Sequence, residues 1–206
     1  MTDFESILKE MEAEGITHES IMESQAVDDG WDLAQYRKIR ELRLSLQDKA
    51  KNIIDKPVKC WPSFDINWDL CPNNFRFAFD GMSPNQYAKE YPNGLKLCWV
   101  FQTEFYNSLC HYNKRSPEEL WELGFAGKLA HVIAYCSEGN PLTPVVAMPQ
   151  PHFDGEVLLL GGNHRYAMIN VLNIKVMPLL VQYEDHDEMT KRLPSLSDNI
   201  EQVIGD

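Results

Sequence analysis

The chain has 206 residues, of which 44% are hydrophobic, and its formal net charge at pH 7 is −12. This length and this apolar content are typical of one large globular domain, or of one domain with an appendage. The negative charge disfavours bulk attraction to nucleic acid or to an anionic membrane, although a local basic groove stays open. No apolar run reaches about 18 residues, so we expect no transmembrane helix.

The N-terminus and the cysteines indicate a cytoplasmic protein. Residues 1–15 are acidic and lack the basic start and apolar centre of a signal peptide. An odd number of cysteines without CxxC spacing suits neither a disulfide framework nor a zinc site, so we assign no metal ligand. The five, which we expect to be reduced thiols, are Cys60, Cys71, Cys98, Cys110 and Cys136.

Residues 1–53 are predicted to form a helical extension that consists of an acidic segment followed by a basic one. The first 30 residues are acidic, whereas the helix that follows has a basic face over residues 37–51 and an apolar stripe at helical spacing. The basic face has three interpretations: a solvated surface, the partner of the acidic segment in an antiparallel hairpin, or a docking surface for phosphate or an acidic partner. The acidic segment is itself a candidate surface for a protein partner.

Residues 54–94 contain five prolines with aromatic residues between them. Such a segment is rich in loops but too aromatic to be disordered, so we expect it to wrap the surface of the fold and pack through its rings. Its aspartates Asp65, Asp69 and Asp80 are interpreted as turn residues rather than metal ligands.

Residues 95–206 are predicted to form an α+β (α/β-like) domain, a small mixed β-sheet flanked by helices. A capping box at Ser116 opens one helix, because proline and two glutamates follow it. The predicted strands are 95–101, 143–148, 156–160 and 176–182, and the other predicted helices are 127–138, 163–173 and 185–192.

The turn GGNHRYA, residues 161–167, is the strongest functional signal. A strand that runs through two glycines into a helix leaves backbone N–H groups without partners, and the helix dipole favours an anion there. His164 and Arg165 add donors and positive charge at the same place. The turn therefore predicts a phosphate-binding site. A turn that needs glycine only for its backbone angles is the alternative.

The stretch from about Leu95 to Leu196 resembles the ParB/sulfiredoxin superfamily. GGNHRYA differs at one position from the sulfiredoxin signature GGCHRYA, and the helix GKLAHVIAY and the strands PLTPVVAM and VMPLLVQ have matching places around it. The resemblance implies a ParB/sulfiredoxin-like fold with an N-terminal helical extension. It says less about the reaction, because the superfamily includes ATP-dependent reductases, CTP-binding DNA clamps, free-serine kinases and proposed nucleases.

The resemblance also implies a set of nucleotide-binding residues. In it, Gly162, His164 and Arg165 belong to the turn that holds phosphates, and Lys128 matches a lysine that reaches the nucleotide. His131 and Tyr135 lie one and two turns further along the helix of Lys128, on the same face. The complete set of predicted phosphate or nucleotide contacts is Lys128, His131, Tyr135, Gly161, Gly162, Asn163, His164 and Arg165, with His164 and Arg165 as the catalytic candidates.

Asn163 occupies the position of the catalytic cysteine of sulfiredoxin. Asparagine forms no thiolate, so we expect no sulfiredoxin activity. The remaining hypothesis is an enzyme that binds ATP or CTP, with Mg²⁺ carried by the nucleotide, and that acts as a phosphotransferase, an NTPase or a nuclease. The alternative is a non-catalytic acidic module that mimics nucleic acid and uses the turn as a sensor.

Overall fold

The computed structural model describes residues 13, 15–122 and 124–205, and the acidic residues at positions 1–12 lie outside this range. In the described part of the extension lie the helices α1 (His18–Asp28), α2 (Leu33–Ser45) and α3 (Gln47–Lys51). After them come strands and helices that alternate along the chain. In order these are α4 (Pro84–Glu90), β1 (Leu95–Phe101), α5 (Gln102–Ser108), α6 (Ala126–Ser137), β2 (Val145–Pro149), β3 (Val157–Gly161), α7 (Asn163–Val171), β4 (Val176–Gln182), α8 (His186–Arg192) and α9 (Ile200–Ile204).

The predicted fold class is confirmed: four strands form a mixed sheet in the order β1-β4-β2-β3. β4 pairs antiparallel with β1 and parallel with β2, and β2 pairs antiparallel with β3. The parallel pair is joined through β3 and α7, which places the β3–α7 turn at one end of the sheet. The observed β1 and β4 have the predicted bounds.

Several predicted elements differ from the observed ones by one or two residues at their ends, and two differences are larger in kind or in cause. The helix opened by Ser116 is a single short 3₁₀ helix, Pro117–Trp121, although its capping box with Glu119 is present. The second strand starts at Val145 rather than at Thr143, because the carbonyls of Thr143 and Pro144 accept hydrogen bonds from Arg165.

Three clusters of buried side chains hold the fold together, and each combines distant parts of the sequence. The first fills the side of the sheet covered by α5, α7 and α8. The second joins the extension to α6, since Leu46, Ala50 and Ile53 pack with Leu129 and Ile133. The third places rings of the 54–94 segment, including Phe75 and Phe79, against the other face of the sheet. Rings of this segment, residues 54–94 (the wrapping segment), therefore cover part of one face of the sheet.

Helices α1 and α2 form a charge-paired hairpin. Arg37 Nη2 lies 2.6 Å from Glu23 Oε2, and Arg40 pairs with Glu19. Two residues of the basic face are thus paired with the described part of the acidic segment, in agreement with the hairpin interpretation. Within the range that the structure describes, every helix is too short or too polar to cross a membrane.

Candidate anion site at the β3–α7 turn

Each of the two positions in the turn requires glycine for a different structural reason. Gly162 is the N-cap of α7 with φ of +92°, a left-handed conformation that side chains rarely adopt. A Cβ on Gly161 would lie 2.5 Å from the carbonyl oxygen of Ala78. The glycine pair indicates that a ligand or another backbone comes close to the turn. At Gly161 the backbone of Ala78, in residues 54–94, fills this space.

Arg165 points inward and binds backbone carbonyls. Its Nη1 donates to Thr143 O at 2.8 Å and to Pro144 O at 3.2 Å, and its Nη2 donates to Ala78 O. Three of the five guanidinium N–H donors are thereby used within the fold. Burial lowers the pKa of Arg165 to about 10, so the side chain is still charged at neutral pH. It joins the wrapping segment to the start of β2.

Asn163 is held by a second asparagine. Its Oδ1 accepts from Nδ2 of Asn113 at 2.9 Å, and the Oδ1 of Asn113 accepts the N–H of Leu159 at 3.0 Å. Asn163 therefore links the first turn of α7 to β3 through Asn113. Gly162 offers no capping side chain, so the first N–H groups of this helix are available to an anion.

His164 lies beside three cationic side chains. Its ring packs on Phe125 with the centroids 4.2 Å apart, and the guanidinium of Arg115 lies over the same Phe125 ring at 5.5 Å. Burial, followed by the neighbouring charge of Lys128, lowers the pKa of His164 to about 4, and Arg165 and Arg115 act in the same direction. The imidazole is therefore neutral at pH 7 and free to accept a hydrogen bond.

Lys128 forms an ion pair with Asp80 from the wrapping segment. This hydrogen bond is the main cause of a lowered pKa of Asp80, to which Arg43 and His164 also contribute. Both partners are largely exposed, with 60% and 65% of the side-chain surface accessible. Asp80 thus supplies a negative charge close to Lys128, Arg43 and His164.

His131 and Tyr135 lie on the face of α6 that carries Lys128, but the extension covers much of this face. Tyr135 packs at the edge of the second buried cluster, and burial raises the pKa of its hydroxyl. The Nδ1 of His131 is buried without a hydrogen-bond partner among the described residues. Burial and the nearby Arg43 lower the pKa of His131, so this ring is also neutral.

The structure brings together Lys128, His131, His164 and the start of α7 and adds residues that the sequence interpretation did not assign to the site. Arg115 and Phe125 carried no recognisable signal, because they precede α6 in an irregular stretch. Arg43 belongs to the basic face that was interpreted as one candidate docking surface for phosphate. In the described part of the chain neither Arg43 nor Arg115 has a carboxylate within ion-pair distance, so the site carries excess positive charge in an acidic protein.

No protein-family model, curated protein or solved structure matches this chain. The character of the site therefore follows from its own contacts. Among the described residues it combines a helix N-terminus, three cationic side chains, two neutral imidazoles and the carboxylate of Asp80, which is an arrangement suited to binding a multiply charged anion.

Proposed function

We propose that the protein binds the phosphates of a nucleotide, ATP or CTP, at the N-terminus of α7, within a ParB/sulfiredoxin-like fold. The observation that carries the proposal is the position of Lys128 and Arg115 near His164, together with Arg43 near Asp80 and His131. Excess cations around an uncapped helix start give a multiply charged phosphate chain more favourable contacts than any other site that we find in the described structure.

The proposed contacts differ between residues. The N–H groups at the start of α7 and the ammonium of Lys128 would bind phosphate oxygens, and Arg115 would supply a planar, bidentate donor. Arg165 would act indirectly, because its hydrogen bonds to Ala78, Thr143 and Pro144 hold the turn in place. His131 and Tyr135 would lie beside the phosphates without binding them directly.

Phosphoryl transfer or hydrolysis is the reaction that we propose for this site. Lys128, Arg115 and a Mg²⁺ ion carried by the nucleotide would neutralise the charge on the transferred phosphate. The neutral His164 would accept a proton from the attacking hydroxyl or water. A pKa of about 4 makes this imidazole a weak base, so we expect slow turnover.

The non-catalytic acidic module is the weaker proposal. Glu19 and Glu23, which such a module would use to contact a basic partner, already pair with Arg40 and Arg37. A cytoplasmic location is part of the proposal and is supported by five free cysteines.

Thermal unfolding with ATP or CTP, each with and without Mg²⁺, tests the proposal. Nucleotide at 100 times its dissociation constant stabilises the folded state by about 2.7 kcal/mol, which raises Tm by about 5–10 °C for a chain of this size. Lys128→Gln should remove most of this shift. Lys89→Gln, at an exposed position of α4, is the matched control and should retain it.

Two results would contradict the proposal. The first is a wild-type Tm that no nucleotide changes. The second is an equal shift in Lys128→Gln and wild type, which would place binding elsewhere. If nucleotide binds, separation of the products after incubation distinguishes an enzyme, which releases diphosphate or a phosphorylated acceptor, from a sensor, which returns the triphosphate unchanged.

A further inference from the structure

A second group of side chains lies away from the β3–α7 turn, at the edge of the sheet formed by β1. Cys98 of β1, His186 at the start of α8 and Asp198 near the C-terminus direct one ligand atom each into a common space. The Sγ, Nε2 and carboxylate oxygen atoms all lie within 4.8 Å of one another. Cys98 is fully buried, whereas Asp198 is exposed, so the space opens from the core to solvent.

Two of the three ligand–ligand distances match the edges of a tetrahedral metal site. Asp198 Oδ1 lies 3.6 Å from Cys98 Sγ and 3.2 Å from His186 Nε2. Around Zn²⁺, with a Zn–S bond of about 2.3 Å and Zn–N and Zn–O bonds of about 2.0 Å, these edges would be about 3.5 and 3.3 Å. Three protein ligands would leave the fourth position for water.

The hydrogen bonding around His186 also indicates a cation. Its Nε2 lies 3.0 Å from Lys96 Nζ, which can only donate, and 3.2 Å from Asp198 Oδ1, which as a carboxylate can only accept. A protonated Nε2 would face the ammonium, and an unprotonated one would face the carboxylate, so neither state satisfies both contacts. A divalent metal would accept lone pairs from the imidazole and the carboxylate together.

Lys96 occupies the position of a competing cation. Its Nζ lies 2.8 Å from Asp198 Oδ2 and is on the same face of β1 as Cys98, two residues away. The other imidazole nitrogen, Nδ1, lies 3.7 Å from the carboxylate of Asp187. This separation is longer than a hydrogen bond, so Asp187 adds negative charge near the imidazole without fixing its orientation.

We propose that Cys98, His186 and Asp198 form a binding site for Zn²⁺, which displaces the ammonium of Lys96. Zinc, a metal of borderline softness, suits this combination of sulfur, nitrogen and oxygen ligands. Binding releases the Cys98 thiol proton to solvent, and the thiolate forms the Zn–S bond. The resulting site carries one divalent cation and two negative ligands, and it fastens α8 and the C-terminal residues to β1.

Cobalt and zinc titrations of the full-length protein, first freed of metal by a chelator, test the site. One equivalent of Co²⁺ should produce a thiolate-to-cobalt charge-transfer band in the near-ultraviolet, and Zn²⁺ should abolish it. Cys98→Ser should lose the band. Cys71→Ser, which removes an exposed cysteine elsewhere, is the matched control and should keep it.

Two further variants separate a metal site from an ion-pair network. Asp198→Asn, at an exposed position that should not impair folding, should weaken Zn²⁺ binding by at least about tenfold. Lys96→Met should strengthen binding several-fold, because it removes the competing ammonium. The proposal is overturned if wild type gives no charge-transfer band, if Cys98→Ser folds and keeps it, or if neither Asp198→Asn nor Lys96→Met changes the affinity.

Discussion

Neighbouring residues of the GGNHR turn have different roles in the structure. Arg165 points into the fold and binds three carbonyls, whereas His164 lies beside Lys128 and Arg115 on the side where an anion would approach. Asn163 fixes the helix start to Asn113. A substitution of Arg165 would therefore report on stability, and substitutions of Lys128 and His164 report more directly on ligand binding.

In the proposed phosphate site, Asp80 is the residue that competes with the ligand for Lys128. Asp80→Asn removes the carboxylate that pairs with Lys128 and keeps the shape of the side chain, so we expect nucleotide to bind several-fold more tightly. Isothermal titration calorimetry with ATP and CTP measures the change. Asp65→Asn, an exposed aspartate of the same wrapping segment, is the control and should leave binding unchanged. Unchanged or weaker binding to Asp80→Asn would show that Asp80 does not compete.

The half-buried, neutral His164 makes stability depend on pH. Its pKa falls from 6.5 to about 4 on folding, so the unfolded chain binds a proton first as the pH decreases. The stability that this effect provides is present above pH 6.5 and is lost as the pH falls from 6.5 towards 4. The full shift corresponds to about 3 kcal/mol, and partial solvent screening should reduce it to about 1–2 kcal/mol.

Urea unfolding at several pH values measures this loss. His164→Gln should flatten the wild-type pH dependence between pH 6.5 and 4 by that amount. His152→Gln, at an exposed histidine, should follow the wild-type curve. Parallel curves for wild type and His164→Gln would exclude a strongly lowered pKa of His164.

Elements with strong local signals were predictable from the sequence. β1 and β4 follow from short apolar runs. Helix α6 follows from an apolar stripe at helical spacing, whose residues Leu129, Ile133 and Cys136 are buried. The fold class followed from the alternation of these elements. The start of β2 was not predictable, because Arg165, more than 20 residues later, takes the carbonyls of Thr143 and Pro144.

The candidate site was only partly predictable, because residues that are distant in the sequence meet there. His164 could be named because it follows two glycines at the start of a helix, whereas Lys128 was named only through the family resemblance. Asp80, Arg115 and Arg43 reach the site from three irregular or distant parts of the chain, and no periodicity relates them. The metal-ligating group is a similar case, since Cys98 and Asp198 are 100 residues apart and show no motif spacing.

Two glycine substitutions test the packing of the wrapping segment on β3. Gly161→Ala would place a Cβ 2.5 Å from the backbone carbonyl of Ala78, so either the segment or the strand must shift, and we expect a loss of about 2–3 kcal/mol. Gly127→Ala, in α6 with open space around it, should instead stabilise the protein by up to about 1 kcal/mol. Chemical denaturation measures both. Equal effects of the two substitutions would show that Ala78 does not lie against Gly161.

The complete fold does not divide cleanly at residue 53. Leu46, Ala50 and Ile53 are buried against α6, whereas Ala26 is the buried residue of α1. Removal of residues 1–30 should therefore cost less than about 2 kcal/mol, but removal of residues 1–53 exposes apolar surface worth roughly 4–6 kcal/mol. Soluble yield and Tm of the two truncated proteins check this expectation. A stable, fully folded 54–206 fragment would contradict it.

The hydrogen bond from Arg165 to Ala78 joins residues 87 positions apart, and β1 pairs with β4 across a similar separation. During synthesis at about 5–20 residues per second, Ala78 would therefore leave the ribosome about 4–17 s before its partner. Throughout that interval Phe75 and Phe79 have neither the sheet nor the turn to cover them. The nascent chain should consequently be most prone to aggregation, and most dependent on chaperones, after the wrapping segment emerges and before β4 is complete.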